Sequence, residues 1–163
     1  MRILVPFLFS ILLSPTFAEA SVIITEVMYD LPGTDTGREW IEITNVGSSP
    51  VDVRKYKFFE ADTNHAIAPI SGSGVLSPGS SAVIADNPTK FKIDWPQYSG
   101  DLFDSPFSLS NTGESLVLKD SALGIVDSIS YDRALGAAGD GTTLKRSGIM
   151  FISAVATPGT HVG

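Results

Sequence analysis

The sequence predicts an all-β sandwich of about eight or nine short strands, folded as one domain. Short runs of β-branched and aromatic residues recur along the chain, separated by Gly, Pro, Asn, Asp and Ser. Within the clearest of these runs apolar and polar residues alternate with period two, and no long amphipathic helical pattern interrupts the series. At 163 residues the chain is long enough for one domain and short for two. A domain of this size buries a sizeable core without covalent staples, and the chain has no cysteine to supply one. Apolar residues make up 43% and charged residues 18%, the reverse of a disordered composition.

The first element is not part of the fold. Met1-Arg2 supplies a positive charge, Ile3 to Leu13 is almost wholly apolar, and Ala18-Glu19-Ala20 is a small-x-small site. Residues 1–20 are expected to be a secretory signal peptide cleaved after Ala20, leaving residues 21–163 as the domain. The apolar run is too short for the ~20 residues of a membrane span, and no later stretch is long and apolar enough. The expected location is therefore secreted, periplasmic or cell-surface.

Ser21 to Met28 is a β-branched strand, and Asp30 to Gly37, with Pro32 and Gly33, is a loop. In Glu39 to Val46, Ile41 and Ile43 share one face while Trp40, Glu42 and Thr44 share the other. Val51 and Val53 point together, and Tyr56 with Phe58 continues as a strand after an irregularity. His65 to Ile70 has the composition of a short strand. Pro78-Gly79 occupies the two central places of a type II turn. Ser81 to Ala85 is a buried strand, and Asn87 to Pro96 has room for a helical turn, tightly bounded by Pro88 and Pro96. Asn111-Thr112-Gly113 is a hairpin-like turn, and Ser115–Lys119 with Ile125–Tyr131 form a hairpin across Asp120 to Gly124. Gly136 to Gly141 has the composition of a flexible loop, and Thr143 to Arg146 is the last strand expected.

Several function classes are disfavoured by residue chemistry. The net charge of −7, with Lys and Arg concentrated only at Arg54-Lys55-Tyr56-Lys57, speaks against nucleic acid, whose binding draws on basic patches. No Gly-x-Ser-x-Gly elbow, His-Glu-x-x-His pair or phosphate loop occurs. The two histidines are His65, expected on a surface loop, and His161, two residues from the C-terminus.

The order of motifs resembles a known family. Ile24 to Asp30, Gly37 to Asn45, Ser49 to Val53, Leu76 to Gly79, Leu109 to Leu116, Val126 to Tyr131, Asp140-Gly141 and Thr157-Pro158-Gly159 follow one another as in the lamin tail domain in its bacterial secreted form. The resemblance implies an immunoglobulin-like β-sandwich with a binding or tethering role, and it brings no catalytic residues and no cofactor. The implied partner is a protein or a cell-envelope polymer.

Two sites are expected from the residues themselves. If Ile41 and Ile43 face the core, then Trp40, Glu42 and Thr44 form an outward acidic and aromatic contact surface, unless a loop or the chain end covers it. Asp30, Asp35 and Glu39 flank a glycine-containing loop and offer the oxygen ligands that calcium requires. A solvated acidic rim is the alternative for those three. The competing functions are a small calcium-dependent secreted hydrolase and a structural protein that self-assembles through exposed strand edges.

Overall fold

The computed structural model of the protein describes residues 22–160; the expected signal peptide and His161 lie outside them. The strands are β1 (Val22–Met28), β2 (Trp40–Asn45), β3 (Val51–Asp52), β4 (Lys57–Glu60), β5 (Thr63–Ala66), β6 (Ala68–Ser71) and β7 (Val75–Leu76). They continue with β8 (Ser81–Ala85), β9 (Asp101–Asp104), β10 (Gly113–Lys119), β11 (Ile125–Asp132), β12 (Thr142–Ser147) and β13 (Met150–Val155). Among the described residues one α-helix, α1 (Pro88–Asp94), lies between β8 and β9.

The larger sheet has the order β13-β12-β1-β2-β8-β9-β6, and the smaller has β11-β10-β4-β5. All neighbours are antiparallel except β8 and β9, which run parallel because α1 carries the chain between them. Strands β3 and β7 form a separate two-stranded ribbon that contributes Leu76 to the core. Ile24, Val27, Ile41, Ile43, Ile84 and Phe103 of the larger sheet meet Phe58, Leu116, Leu118, Ile129 and Tyr131 of the smaller. Each such side chain contributes about 1.5–3 kcal/mol when fully removed from water.

Strand β1 keeps both Ile24 and Val27 in this core although they are three residues apart, a spacing that strict alternation forbids. The register against β2 shifts between Ile24 and Glu26, so Thr25 is an inserted bulge residue and the alternation restarts after it. Side chains take up the backbone groups of Ile24 at this point. Its N–H donates to Asp127 Oδ2 (2.8 Å), and its carbonyl accepts from Arg146 Nε (2.7 Å). Arg146 and Asp127 are themselves paired at 2.5 Å, which joins β12 of one sheet to β11 of the other.

Several turns form for the reasons visible in the chain. Ser80 N–H donates to the Ser77 carbonyl across Pro78-Gly79, with Gly79 at φ 77°, the positive value that a type II turn needs. Helix α1 starts at Asn87, whose side chain accepts from Lys90 N–H, with Pro88 in the first turn. The segment from Gly136, expected to be flexible, is tied down: Ala137 is buried in the core and Tyr29 donates to the Gly136 carbonyl. The strands do not end at Arg146. A further hairpin leads to β13, with Ser147 opposite Met150 and a two-residue turn of Gly148 and Ile149. Gly148 has φ 61°, which a type II′ turn requires at its first central position.

Candidate functional site

Trp40, Glu42 and Thr44 do lie opposite Ile41 and Ile43, on the outer face of the larger sheet. They are not an open contact surface. Trp40 is 0% exposed, and Glu42 and Thr44 are buried with it. The cover consists of α1 and the last described residues of the chain.

The aromatic half of this face lies under the helix. Trp40 meets Phe91 and Trp95 edge to face, each at 5.9 Å between ring centroids, and Phe91 meets Tyr98 at 5.1 Å. Met28, Leu31, Val83, Ala85, Leu102 and Ala156 complete the cluster. The Tyr98 hydroxyl accepts from Val83 N–H and donates to the Asp101 carbonyl, which anchors the segment after the helix.

The polar half lies under the chain end. Glu26 and Glu42 stand opposite each other on β1 and β2. Glu42 accepts from the Thr25 hydroxyl (2.6 Å) and from Gly159 N–H (2.6 Å). Glu26 accepts from the Thr143 hydroxyl (2.6 Å) and from Thr157 N–H (3.0 Å), and Lys145 Nζ lies 3.7 Å away. Thr44 links Thr25 to Ser81 through hydroxyl contacts of 2.9 and 2.8 Å. Burial pushes both carboxyls above their ordinary range, and these hydrogen bonds and Lys145 oppose it. The group therefore holds the segment Ala156–Thr160 against the sheet.

Asp30, Asp35 and Glu39 are not brought together as a cation site. Asp35 accepts from the Asn111 side chain (2.8 Å), while Glu39 is buried and accepts from Leu109 N–H (2.8 Å). Burial, reinforced by the charges of Asp35, Asp86 and Glu114, pushes the Glu39 carboxyl up to about 7 against the pull of the Leu109 hydrogen bond. Among the described residues, no group of three or more acidic or histidine side chains is placed to hold a metal ion. The expected calcium ligands Asp30, Asp35 and Glu39 form no such group among the described residues. His65, expected on a surface loop, is instead half-buried in β5, opposite Phe58, with Nε2 2.9 Å from Glu60 Oε1.

An exposed apolar surface lies on a strand that the sequence pattern did not mark. Strand β13 is an edge of the larger sheet, and among the described residues nothing pairs with its outer side. It carries Met150 (65% exposed), Ile152 (49%) and Val155 (74%), and Ile149 at the hairpin tip is 97% exposed. A cleft of about 370 Å³ separates it from β11, lined by Ser128, Ile129, Leu135, Arg146, Ile149 and Met150 among others. The signal for this strand was present as an apolar run beginning directly after Gly148.

Other free edges are blunted. Strand β6 contains Pro69 and a register shift, β5 has four residues and no large apolar side chain, and β11 carries Asp127 and Asp132. Strand β13 has neither charge nor proline, and its register against β12 is unbroken from Thr142–Val155 to Ser147–Met150.

No curated protein and no solved structure matches the chain. The family model of the lamin tail domain matches residues 15–133, from inside the expected signal peptide to the end of β11, so that β12 and β13 follow the matched stretch. That match spans most of the chain and agrees with the two-sheet architecture: the protein belongs to the lamin tail domain family, a family of non-enzymatic immunoglobulin-like domains.

Proposed function

We propose that the protein is an exported, non-catalytic binding or tethering module that holds a protein or envelope polymer through the β13 edge. Export is supported by the charged, apolar and small-residue pattern of residues 1–20. The observation that carries the contact surface is the unpaired, uncharged β13 with Ile149, Met150, Ile152 and Val155 exposed along it. An edge strand offers a row of N–H and C=O groups that an extended segment satisfies, and its alternate side chains give the contact specificity. Exposed apolar groups clustered in one place mark interaction sites far more often than scattered ones do.

The test uses fluorescently labelled protein and envelope fractions of the cells that make it. Saturable binding is expected, weakened by Met150→Lys and unchanged by Thr89→Lys, an equal charge change on the exposed side of α1. Absence of binding, or equal binding by both variants, rejects the proposal.

A further inference from the structure

We propose that β13 pairs with β13 of a second copy of the chain, antiparallel about a two-fold axis at Ile152, to give one continuous sheet across two molecules. The inference rests on the reading of β13 as the contact edge and names an occupant for it.

The β13 edge is complementary to itself. A two-fold axis normal to the sheet keeps each side chain on its own face, so even-numbered residues of one copy meet even-numbered residues of the other. On β13 the even-numbered residues are Met150, Ile152 and Ala154, all apolar. Ile152 is opposite Lys145 of β12, which is opposite Glu26 of β1, so this row lies on the outer face. Centring the axis on Ile152 is the register that pairs all three: Ile152 with itself, and Met150 with Ala154. On the other face it sets Phe151 against Ser153. It also brings Ile149 at the hairpin tip next to Val155, so the two most exposed apolar side chains of this edge cover each other.

No charged residue lies on β13, so no like-charge pair is created along the new ladder. The blunted edges β5, β6 and β11 have no such self-match: antiparallel pairing of β11 would bury its aspartates, and β6 lacks the N–H of Pro69. Each molecule carries a net charge of −7, so association works against long-range repulsion and strengthens with added salt.

Sedimentation of the purified exported protein across a wide concentration range is the test. Expected is a reversible monomer–dimer equilibrium that tightens with salt. Ile152→Lys and Ile152→Glu, each alone, should raise the dimer dissociation constant by about tenfold or more, because each sets like charges against each other. An equimolar mixture of the two variants should restore dimers, which a folding defect would not do. A protein monomeric at every concentration, a dimer indifferent to both substitutions, or a mixture that stays monomeric overturns the inference. Envelope binding separates this from the broader reading: a monomer whose envelope binding still falls with Met150→Lys rejects the second copy and leaves the edge as a contact surface.

Discussion

On its inner face the seven-stranded sheet meets another sheet, whereas on its outer face it meets one short helix and the last five described residues of the main body, Ala156–Thr160. The inner contact is broad and apolar and comes from many strands. The outer contact is divided: Trp40, Phe91, Trp95 and Tyr98 close one half, and Glu26, Glu42 and Lys145 pin the chain end over the other. Burial to near zero exposure is therefore reached by two routes, one through area and one through a few anchored groups. The second route depends on fewer residues, and single substitutions there test the comparison most sharply.

Trp40→Ala is expected to cost about 3–5 kcal/mol in urea unfolding, as much as an inner-face truncation such as Phe58→Ala. A loss below about 1 kcal/mol would mean that the outer aromatic cluster is covered only loosely. The next effect is one of pH. The folded state keeps the Glu39 proton up to about 7, whereas the unfolded chain releases it near the ordinary 4.5. Stability from this group is thus full below about 4.5 and is lost as pH rises through about 7. A shift of that size corresponds to about 3 kcal/mol. Glu39→Gln should remove that part of the slope when unfolding midpoints are compared at about pH 5 and about pH 8. Glu26 and Glu42, raised in the same direction, contribute a residual slope with the same sign. An unchanged slope in the variant would place the Glu39 carboxyl in contact with water.

Arg146→Ala should cost about 2–3 kcal/mol, since it frees the Ile24 carbonyl at the bulge and leaves Asp127 without its cation. If hydrogen exchange then rises at β1 and β11 together, the bulge is the point that couples the two sheets. The smallest effect is expected at the free edge. Ile149→Lys should change stability by no more than about 0.5 kcal/mol, because the side chain lies in water, while weakening association. A large loss of stability there would show that the hairpin tip is packed.

Much of this architecture was legible in the chain. Period-two alternation in Glu39 to Val46 sorted Ile41 and Ile43 from Trp40, Glu42 and Thr44 correctly, because side-chain direction in a strand is a local property. The Pro78-Gly79 turn and the β10–β11 hairpin were also readable, since turn chemistry acts over a few residues. The outcome at Trp40 was not readable, because its cover comes from residues about 50 and more than 100 positions further along the chain. The acidic residues Asp30, Asp35 and Glu39 looked alike in sequence, yet Asp35 meets an asparagine side chain while Glu39 is turned into the interior towards Leu109. Strand β13 was missed although its residues are apolar, because a two-residue turn at Gly148-Ile149 follows β12 without a longer loop to mark a new strand.

By itself, then, the sequence determined the strand-rich class, the faces of the central strands, the turns and the family, all of which follow from short-range preferences repeated along the chain. Only the tertiary structure decided which faces and edges remain open to solvent. Burial of a face is settled by whichever distant segment packs on it, and an edge is free only when no other strand satisfies its backbone groups. The acidic Trp40 surface was closed in this way, and the uncharged edge of β13 was left open.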